Sequence, residues 1–221
     1  MTGFRKRQLA GLLAAALWTA PGTVSAQSPI EPPFPSPEMP DPLPGAAPEA
    51  APEDQPPAPP ADRAARLDAL VAELAEPGRA DWEKVEGQIS GLWARSGSPA
   101  MDLLLKRGNE AMEAEDYPAA IEHFSALVEM APGFAEGWNA RATTYYLMGE
   151  FSLSMADIEH VLVLEPRHFG ALSGLGFMFE AMDQPELALE AFEAVHALSP
   201  NRPTVNEAIT RLERMTGDAD L

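Results

Sequence analysis

Residues 132–166 read PGFAEGWNARATTYYLMGEFSLSMADIEHVLVLEP, a stretch that begins and ends on a proline. A further proline, Pro200, follows 34 residues later. Three small residues, Gly108, Ala142 and Gly176, keep the same 34-residue interval. A constant period of this length indicates a row of similar helical units, in which each proline ends one helix and starts the next turn. The stretch therefore predicts an all-α solenoid.

The three units, counted from Met101, Ala135 and Phe169, also share their apolar positions. A small residue at the eighth place allows two antiparallel helices to approach closely, and large side chains fill the space beside that contact. These side chains are Leu104, Ala120 and Phe124 in the first unit; Trp138, Tyr145, Ile158 and Val161 in the second; and Leu172, Leu175, Phe179, Ala188, Phe192 and Val195 in the third. Three units in register make the repeat pattern specific.

This pattern over residues 101–202 resembles the tetratricopeptide repeat (TPR) family, whose first helix shows W-x2-L-G-x2-Y and whose second shows A-x3-F before a proline. The resemblance implies a short right-handed α-solenoid of helical hairpins. Its three units are residues 101–134, 135–168 and 169–202. It further implies a scaffold that binds other proteins, rather than an enzyme.

The segments on either side of the repeats also have helical periodicity. In residues 63–100, apolar residues at three- and four-residue steps predict a helical hairpin, with Asp81 as the N-cap of its second helix. We interpret this hairpin as a degenerate repeat stacked on the front of the solenoid. Residues 203–221 predict a capping helix with one apolar stripe, followed by a frayed tail from Thr216.

The first 26 residues have the features of a targeting segment. A basic run, Arg5 to Arg7, precedes an uncharged apolar stretch, and small residues end at Ala26. This order predicts a signal peptide that is cleaved between Ala26 and Gln27, and hence a periplasmic or otherwise exported protein. The alternative is an uncleaved anchor, in which case the protein would be attached to a membrane.

Residues 27–62 predict a disordered linker rich in proline, alanine and glutamate. Between Pro29 and Pro60 lie 14 prolines and no basic residue. Proline removes backbone donors, and the scarcity of large apolar side chains leaves nothing to bury. The segment is interpreted as a stiff spacer or, alternatively, as a docking tail for a proline-reading domain around Pro32–Pro35.

The chain is strongly acidic, with a formal net charge of −19 at pH 7. Cleavage after Ala26 would leave 12 basic and 34 acidic residues, a net charge of −22. Such a chain repels nucleic acid and anionic lipid and favours basic protein partners. The alternative interpretation is that the acidity serves solubility alone.

The sequence shows no pattern typical of catalysis, metal binding or cofactor binding. It has no cysteine, and its four histidines lack metal-ligand spacing. It also lacks a phosphate-binding loop and a nucleophile elbow. We therefore expect no enzymatic activity, no cofactor, no metal and no small-molecule substrate.

Two units depart from the repeat pattern, because Arg107 and Arg141 occupy the place of its leucine. An arginine at a half-buried place needs an acceptor for its guanidinium group. The facing helix offers Asp157 to Arg141. The sequence therefore predicts a structural Arg141–Asp157 ion pair.

The family resemblance implies a concave groove lined by the first helices of the units. The residues predicted to face this groove and to bind a partner are Lys106, Asn109, Asn139, Thr143, Tyr146, Ser173 and Phe177. A clamp for a C-terminal carboxylate is not expected, since Leu105, Ala140, Gly170 and Gly174 occupy the other clamp places. The alternative function is a structural or assembly subunit of a cell-envelope complex that contacts partners through its ends or its convex face.

Overall fold

The computed structural model describes residues 60–219, with side-chain environments for residues 62–217. The predicted signal peptide and residues 27–59 of the predicted linker lie outside the described residues. Every regular element of the described part is an α-helix. The first helix already begins at Pro60, so the predicted linker is three residues too long at its C-terminal end.

The described residues form nine helices joined by short turns. They are α1 (Pro60–Leu74), α2 (Trp82–Trp93), α3 (Pro99–Glu113), α4 (Tyr117–Met130), α5 (Ala135–Leu147), α6 (Phe151–Leu164), α7 (Phe169–Ala181), α8 (Pro185–Leu198) and α9 (Pro203–Ala219).

The helix boundaries repeat with the period of the sequence. Helices α4, α6 and α8 begin at residues 117, 151 and 185, and α5, α7 and α9 begin at 135, 169 and 203. Each repeat is a pair of antiparallel helices, and each pair packs on the next along the chain. This architecture is the α-solenoid that the sequence predicts, with α9 as its last helix.

The small residue at the eighth place acts as predicted. A Cβ atom on Gly108 would lie 2.2 Å from Cε1 of Phe124, and one on Gly176 would lie 2.6 Å from Cε1 of Phe192. Both phenylalanines are completely buried. The glycine therefore lets the ring of the second helix lie directly against the backbone of the first.

The turn inside each repeat needs a left-handed residue. Glu115 has a φ of 58°, Gly149 of 77° and Asp183 of 56°, and these residues lie one period apart. Glycine adopts this conformation at no steric cost, whereas the other two residues do so with some strain. The second repeat alone has the favoured residue at this turn.

The predicted helical hairpin is present as α1 and α2, but it does not stack on the front of the solenoid as expected. The two helices pack on each other, but neither packs along α3. The hairpin instead follows the turns between repeats, where Asp68 contacts Arg167 and Glu86 contacts Arg202. The physical reason is that its aromatic and charged side chains find their partners at those turns rather than on α3.

The helix ends agree with the sequence in part. Asp81 is the N-cap residue of α2 as predicted, but its side chain makes no capping hydrogen bond and pairs with Arg79 at 2.8 Å instead. The guanidinium group offers a charged donor, which makes a stronger hydrogen bond than a backbone N–H. At the other end of the chain, α9 runs through Thr216 to Ala219, where a frayed tail was expected.

Candidate functional site

The candidate groove is formed by the first helices of the repeats, α3, α5 and α7. Lys106 and Thr143 are exposed, Asn109 and Tyr146 are half-buried, and Phe177 keeps 46% of its surface exposed. These five predicted residues lie on surfaces that a partner could reach. Their side chains supply two aromatic rings, a hydroxyl group, an amide group and the ammonium group of Lys106.

The aromatic side chains of the groove are held in place by neighbouring rings. The ring of Phe177 meets that of Phe192 edge-on at 5.2 Å, and the ring of Tyr146 stacks on Phe151 at 5.7 Å. Burial, with the nearby negative charge of Glu180 adding to it, raises the pKa of the Tyr146 phenol. The phenol is therefore a neutral hydrogen-bonding group at physiological pH.

The polar groups of the groove are already partly engaged. Thr143 Oγ1 donates to the carbonyl of Asn139 at 2.9 Å, and Asn139 Nδ2 donates to Glu136 at 3.2 Å. Lys106 lies 3.8 Å from Glu110, one helical turn further on. Asn139 therefore has less capacity for a partner's backbone than the sequence suggests.

Ser173 does not line an open surface, contrary to its predicted role. The residue is buried, and its hydroxyl donates to the carbonyl of Phe169 at 2.8 Å. The same hydroxyl accepts a hydrogen bond from Arg202 at 3.2 Å. The contact with Arg202, 29 residues further along the chain, thus makes Ser173 inaccessible to a partner in the groove.

The predicted ion pair between Arg141 and Asp157 is present. Arg141 donates from Nε and Nη2 to the two carboxylate oxygens at 2.7 and 2.8 Å, and its Nη1 donates to Ser125 at 3.2 Å. The guanidinium group also lies 5.1 Å from the ring centroid of Trp138. The carboxylate and its hydrogen bonds raise the pKa of Arg141. This geometry joins α5 to α6 inside the second repeat and is structural.

A second constellation, which sequence reasoning missed, lies where the hairpin meets the turns between repeats. Trp93 stacks on His168 with ring centroids 4.2 Å apart and contacts Phe169 at 4.9 Å. Arg202 donates to both carboxylate oxygens of Glu86, at 2.5 and 2.8 Å. We call the solenoid side of this contact the seat, defined by His168, Phe169, Ser173, Ser199 and Arg202.

The seat is itself ordered by hydrogen bonds. His168 Nδ1 accepts from the backbone N–H of Ala171, so the hydrogen resides on Nε2, which donates to Glu136 at 3.1 Å. Ser199 Oγ adds a hydrogen bond to Glu86 at 2.9 Å. The seat therefore offers a fixed aromatic slot and a fixed carboxylate site. The sequence signal that could have found it is the basic Arg202 directly before the helix-initiating Pro203.

One donor in this contact has no acceptor. The indole Nε1 of Trp93 is buried and finds no hydrogen-bond partner among the described residues. An unsatisfied buried donor costs about 1–3 kcal/mol. The hairpin is consequently bound to the seat less favourably than a fully satisfied side chain would allow.

The part of the chain that the structure describes also contains a cleft. It has a volume of about 480 Å³ between the hairpin and the first repeat, and Arg63, Arg95, Met101, Met130 and Phe134 are among its lining residues. Within residues 60–219 we find no group of acidic or histidine side chains arranged to hold a metal ion. None of the described helices has the length and apolar character to cross a bilayer.

Comparison with known proteins places the fold in context. No family model matches the chain. A TPR repeat-containing protein of Rhizobium etli is 36% identical over 157 residues, which cover 69% of this chain and 76% of the relative.

Two solved structures share the fold. The Sgt2 TPR domain from Aspergillus fumigatus gives a TM-score of 0.51 at 26% identity, covering 56% of this chain and 83% of that domain. The first TPR domain of Spaghetti (RPAP3), bound to the HSP90 peptide SRMEEVD, also gives 0.51, at 20% identity over 53% of this chain and 93% of that domain. The identity shared over most of the Rhizobium etli relative shows that this chain belongs to the tetratricopeptide repeat family.

Proposed function

We propose that this protein is an exported, periplasmic scaffold that binds a segment of another protein in its groove and performs no catalysis. The observation that carries the proposal is the exposure of aromatic side chains on the first helices of the repeats, where Phe177 of α7 is 46% exposed and Tyr146 of α5 is half-buried. An exposed phenylalanine held against a buried ring is typical of an apolar anchor point for a partner.

Membership of the TPR family supports protein binding, rather than catalysis, as the role of the groove. The RPAP3 domain, which shares the fold, is bound to a peptide of another protein. For this chain we propose an extended segment, whose apolar side chains pack on Phe177 and Tyr146 and whose backbone hydrogen-bonds to Asn109. The acidic character of the chain, with 34 acidic residues, favours a basic partner segment.

Export rests on the sequence of residues 1–26 and has its own test. Mass spectrometry of the protein from the periplasmic fraction should give the mass of a chain beginning at Gln27. Recovery of the intact chain in the cytoplasmic fraction would contradict export, while leaving the groove proposal unaffected.

The groove is tested by site-specific photo-crosslinking. A photoreactive amino acid at Thr143 lies in the groove, and the same group at the 76% exposed Val163 of α6 provides a matched control outside it. We expect a specific adduct from position 143, and we expect Tyr146→Ala and Phe177→Ala to reduce its yield at least about 10-fold if these rings are anchors. An adduct that survives both substitutions would contradict the groove model.

The second candidate function is a structural subunit that contacts partners through its convex face or its ends. Exposed apolar side chains favour it, since Val163 and Leu164 lie on α6 and Met215 lies on α9. If this function is right, the dominant adduct comes from position 163 and is unaffected by Tyr146→Ala.

A further inference from the structure

The hairpin contacts the seat through a small number of well-defined side chains. Glu86 and Trp93 lie seven residues apart on α2, two helical turns, and therefore project from one face of the helix. Glu86 binds Arg202 and Ser199, while Trp93 lies against His168 and Phe169. The seat thus binds a helix that carries a carboxylate and an aromatic ring at this spacing.

Arg202 forms the part of the seat that binds a carboxylate. Arg202 holds Glu86 with two parallel hydrogen bonds, a geometry that selects a carboxylate over other acceptors. Arg202 also lies over the ring of Phe169 at 4.9 Å and donates to Ser173, so residues of the solenoid itself orient its guanidinium plane. The aromatic slot is fixed in the same way by the hydrogen bonds of His168.

The remaining contacts of the hairpin are weaker. Asp68 pairs with Arg167 while two thirds exposed, and the hydrogen bond from Gly78 to Asn201 is exposed as well. Exposed pairs of this kind contribute little to stability. In addition, the indole N–H of Trp93 lacks an acceptor among the described residues. The apolar side chains Leu74 and Ile89 of the hairpin are completely buried, so it is the polar contacts with the solenoid that are incompletely satisfied.

The hairpin is joined to the solenoid by residues 94–98, a short linker between α2 and α3. Gly97 adopts a φ of 86°, and no heavy atom lies within 4 Å of the position that its Cβ would take. Ser96 Oγ and the Ser96 backbone N–H both donate to Asp102 of α3, at 2.6 and 2.8 Å, so residues 96–98 stay with α3 and release of the hairpin bends the chain before Ser96.

We propose that the α1–α2 hairpin is a releasable occupant of the seat, and that the seat is a second protein-binding surface. Its partner is an amphipathic helix with a carboxylate and an aromatic residue seven positions apart, and with an acceptor for the indole N–H if that residue is tryptophan. The tethered hairpin competes with this partner at a high effective concentration, so binding requires release. This inference does not depend on the groove.

The test uses the mature chain, residues 27–221, and a fluorescent synthetic peptide of residues 79–96 as the probe. Fluorescence anisotropy compares the unmodified chain with a Glu86→Gln/Trp93→Ala variant, whose own hairpin no longer fits the seat. We expect the peptide to bind the variant at least about 10-fold more tightly, because its tethered competitor has been removed. A peptide carrying the same two substitutions should not bind.

Two further substitutions locate the binding surface. In the Glu86→Gln/Trp93→Ala variant, adding Arg202→Ala should abolish the increase in peptide affinity. Adding Arg214→Ala in α9 should leave the affinity unchanged, since Arg214 donates only to its own helix among the described contacts. Tyr146→Ala should also leave it unchanged, which separates the seat from the groove. Equal peptide affinity for both chains, or binding that ignores Arg202, would overturn the proposal.

Hydrogen exchange of the unmodified chain gives an independent measurement that does not rely on any variant folding. If the hairpin opens as a unit, the amides of α2 exchange at least about 10-fold faster than those of α7. Equal protection in the two helices would refute a releasable hairpin.

Discussion

The solenoid and the hairpin of this chain are held in place by different forces. Within the first and third repeats, completely buried phenylalanines lie against glycines, so the two helices of each pair are fixed by close apolar packing. Between hairpin and solenoid, the polar contacts are two carboxylate–guanidinium pairs, one of them largely exposed, and they are accompanied by one aromatic stack. The first kind of contact gives cooperative stability, and the second gives specific placement of the hairpin.

Removing core volume should have the largest effect and should separate the two regions. Phe124→Ala deletes a completely buried ring of the solenoid and is expected to lower the free energy of unfolding by about 3–5 kcal/mol. Leu74→Ala deletes an equally buried side chain of α1.

Hydrogen exchange distinguishes these two variants. Phe124→Ala should reduce protection throughout the solenoid, because neighbouring repeats stabilise each other. Leu74→Ala should reduce protection in α1 and α2 while leaving α7 and α8 protected. A loss of protection in all helices of the Leu74 variant would show that the two regions unfold as one.

The next effect concerns the ion pair inside the second repeat. Asp157→Ala leaves the guanidinium group of Arg141 half-buried without its carboxylate, and should destabilise the solenoid by about 3 kcal/mol in urea denaturation. The matched control is Arg107→Ala, which changes an exposed arginine at the same place of the first repeat and should stay within about 0.5 kcal/mol. Similar losses in both variants would contradict a specific role for the pair.

Two glycines in helices should respond to alanine in opposite directions. In Gly108→Ala the new methyl group would collide with the ring of Phe124, and we expect a loss of about 1–3 kcal/mol. Gly91 of α2 has no heavy atom within 4 Å of the same position. Gly91→Ala should therefore stabilise the hairpin by up to about 1 kcal/mol through helix propensity, measured as slower hydrogen exchange in α2.

The smallest effect is a pH dependence within the groove. Because the folded-state pKa of Tyr146 is raised, folding favours its neutral form, and this contribution is present below the ordinary tyrosine pKa of about 10. The contribution is lost as the pH rises through the raised pKa. The difference in absorbance at 295 nm between the wild type and Tyr146→Phe should titrate above pH 10, and titration below that value would contradict the burial of this phenol.

Much of the solenoid could be predicted because repeat packing is a local and periodic matter. The eighth-place glycine and the ring that packs on it lie only 16 residues apart, as Gly108 and Phe124 do, and the pattern recurs in the third repeat. The ion pair was predictable for the same reason, since Arg141 and Asp157 are also 16 residues apart on facing helices. Six of the seven predicted groove residues are exposed or half-buried, and Ser173 alone is buried against the seat.

The hairpin could not be placed in this way. Glu86 and Arg202 are separated by 116 residues, and no periodic signal connects them. The burial of Ser173 follows from the same long-range contact, since Arg202 donates to its hydroxyl. The position of Ser173 within α7 did not reveal that Arg202 covers its side chain.

The sequence by itself determined that this chain is a row of TPR helix pairs, because the packing of each pair depends on residue types at fixed short spacings. Only the tertiary structure decided where the hairpin lies and which part of the binding surface stays open. Those features depend on the complementarity of surfaces that are brought together only after the repeats have stacked.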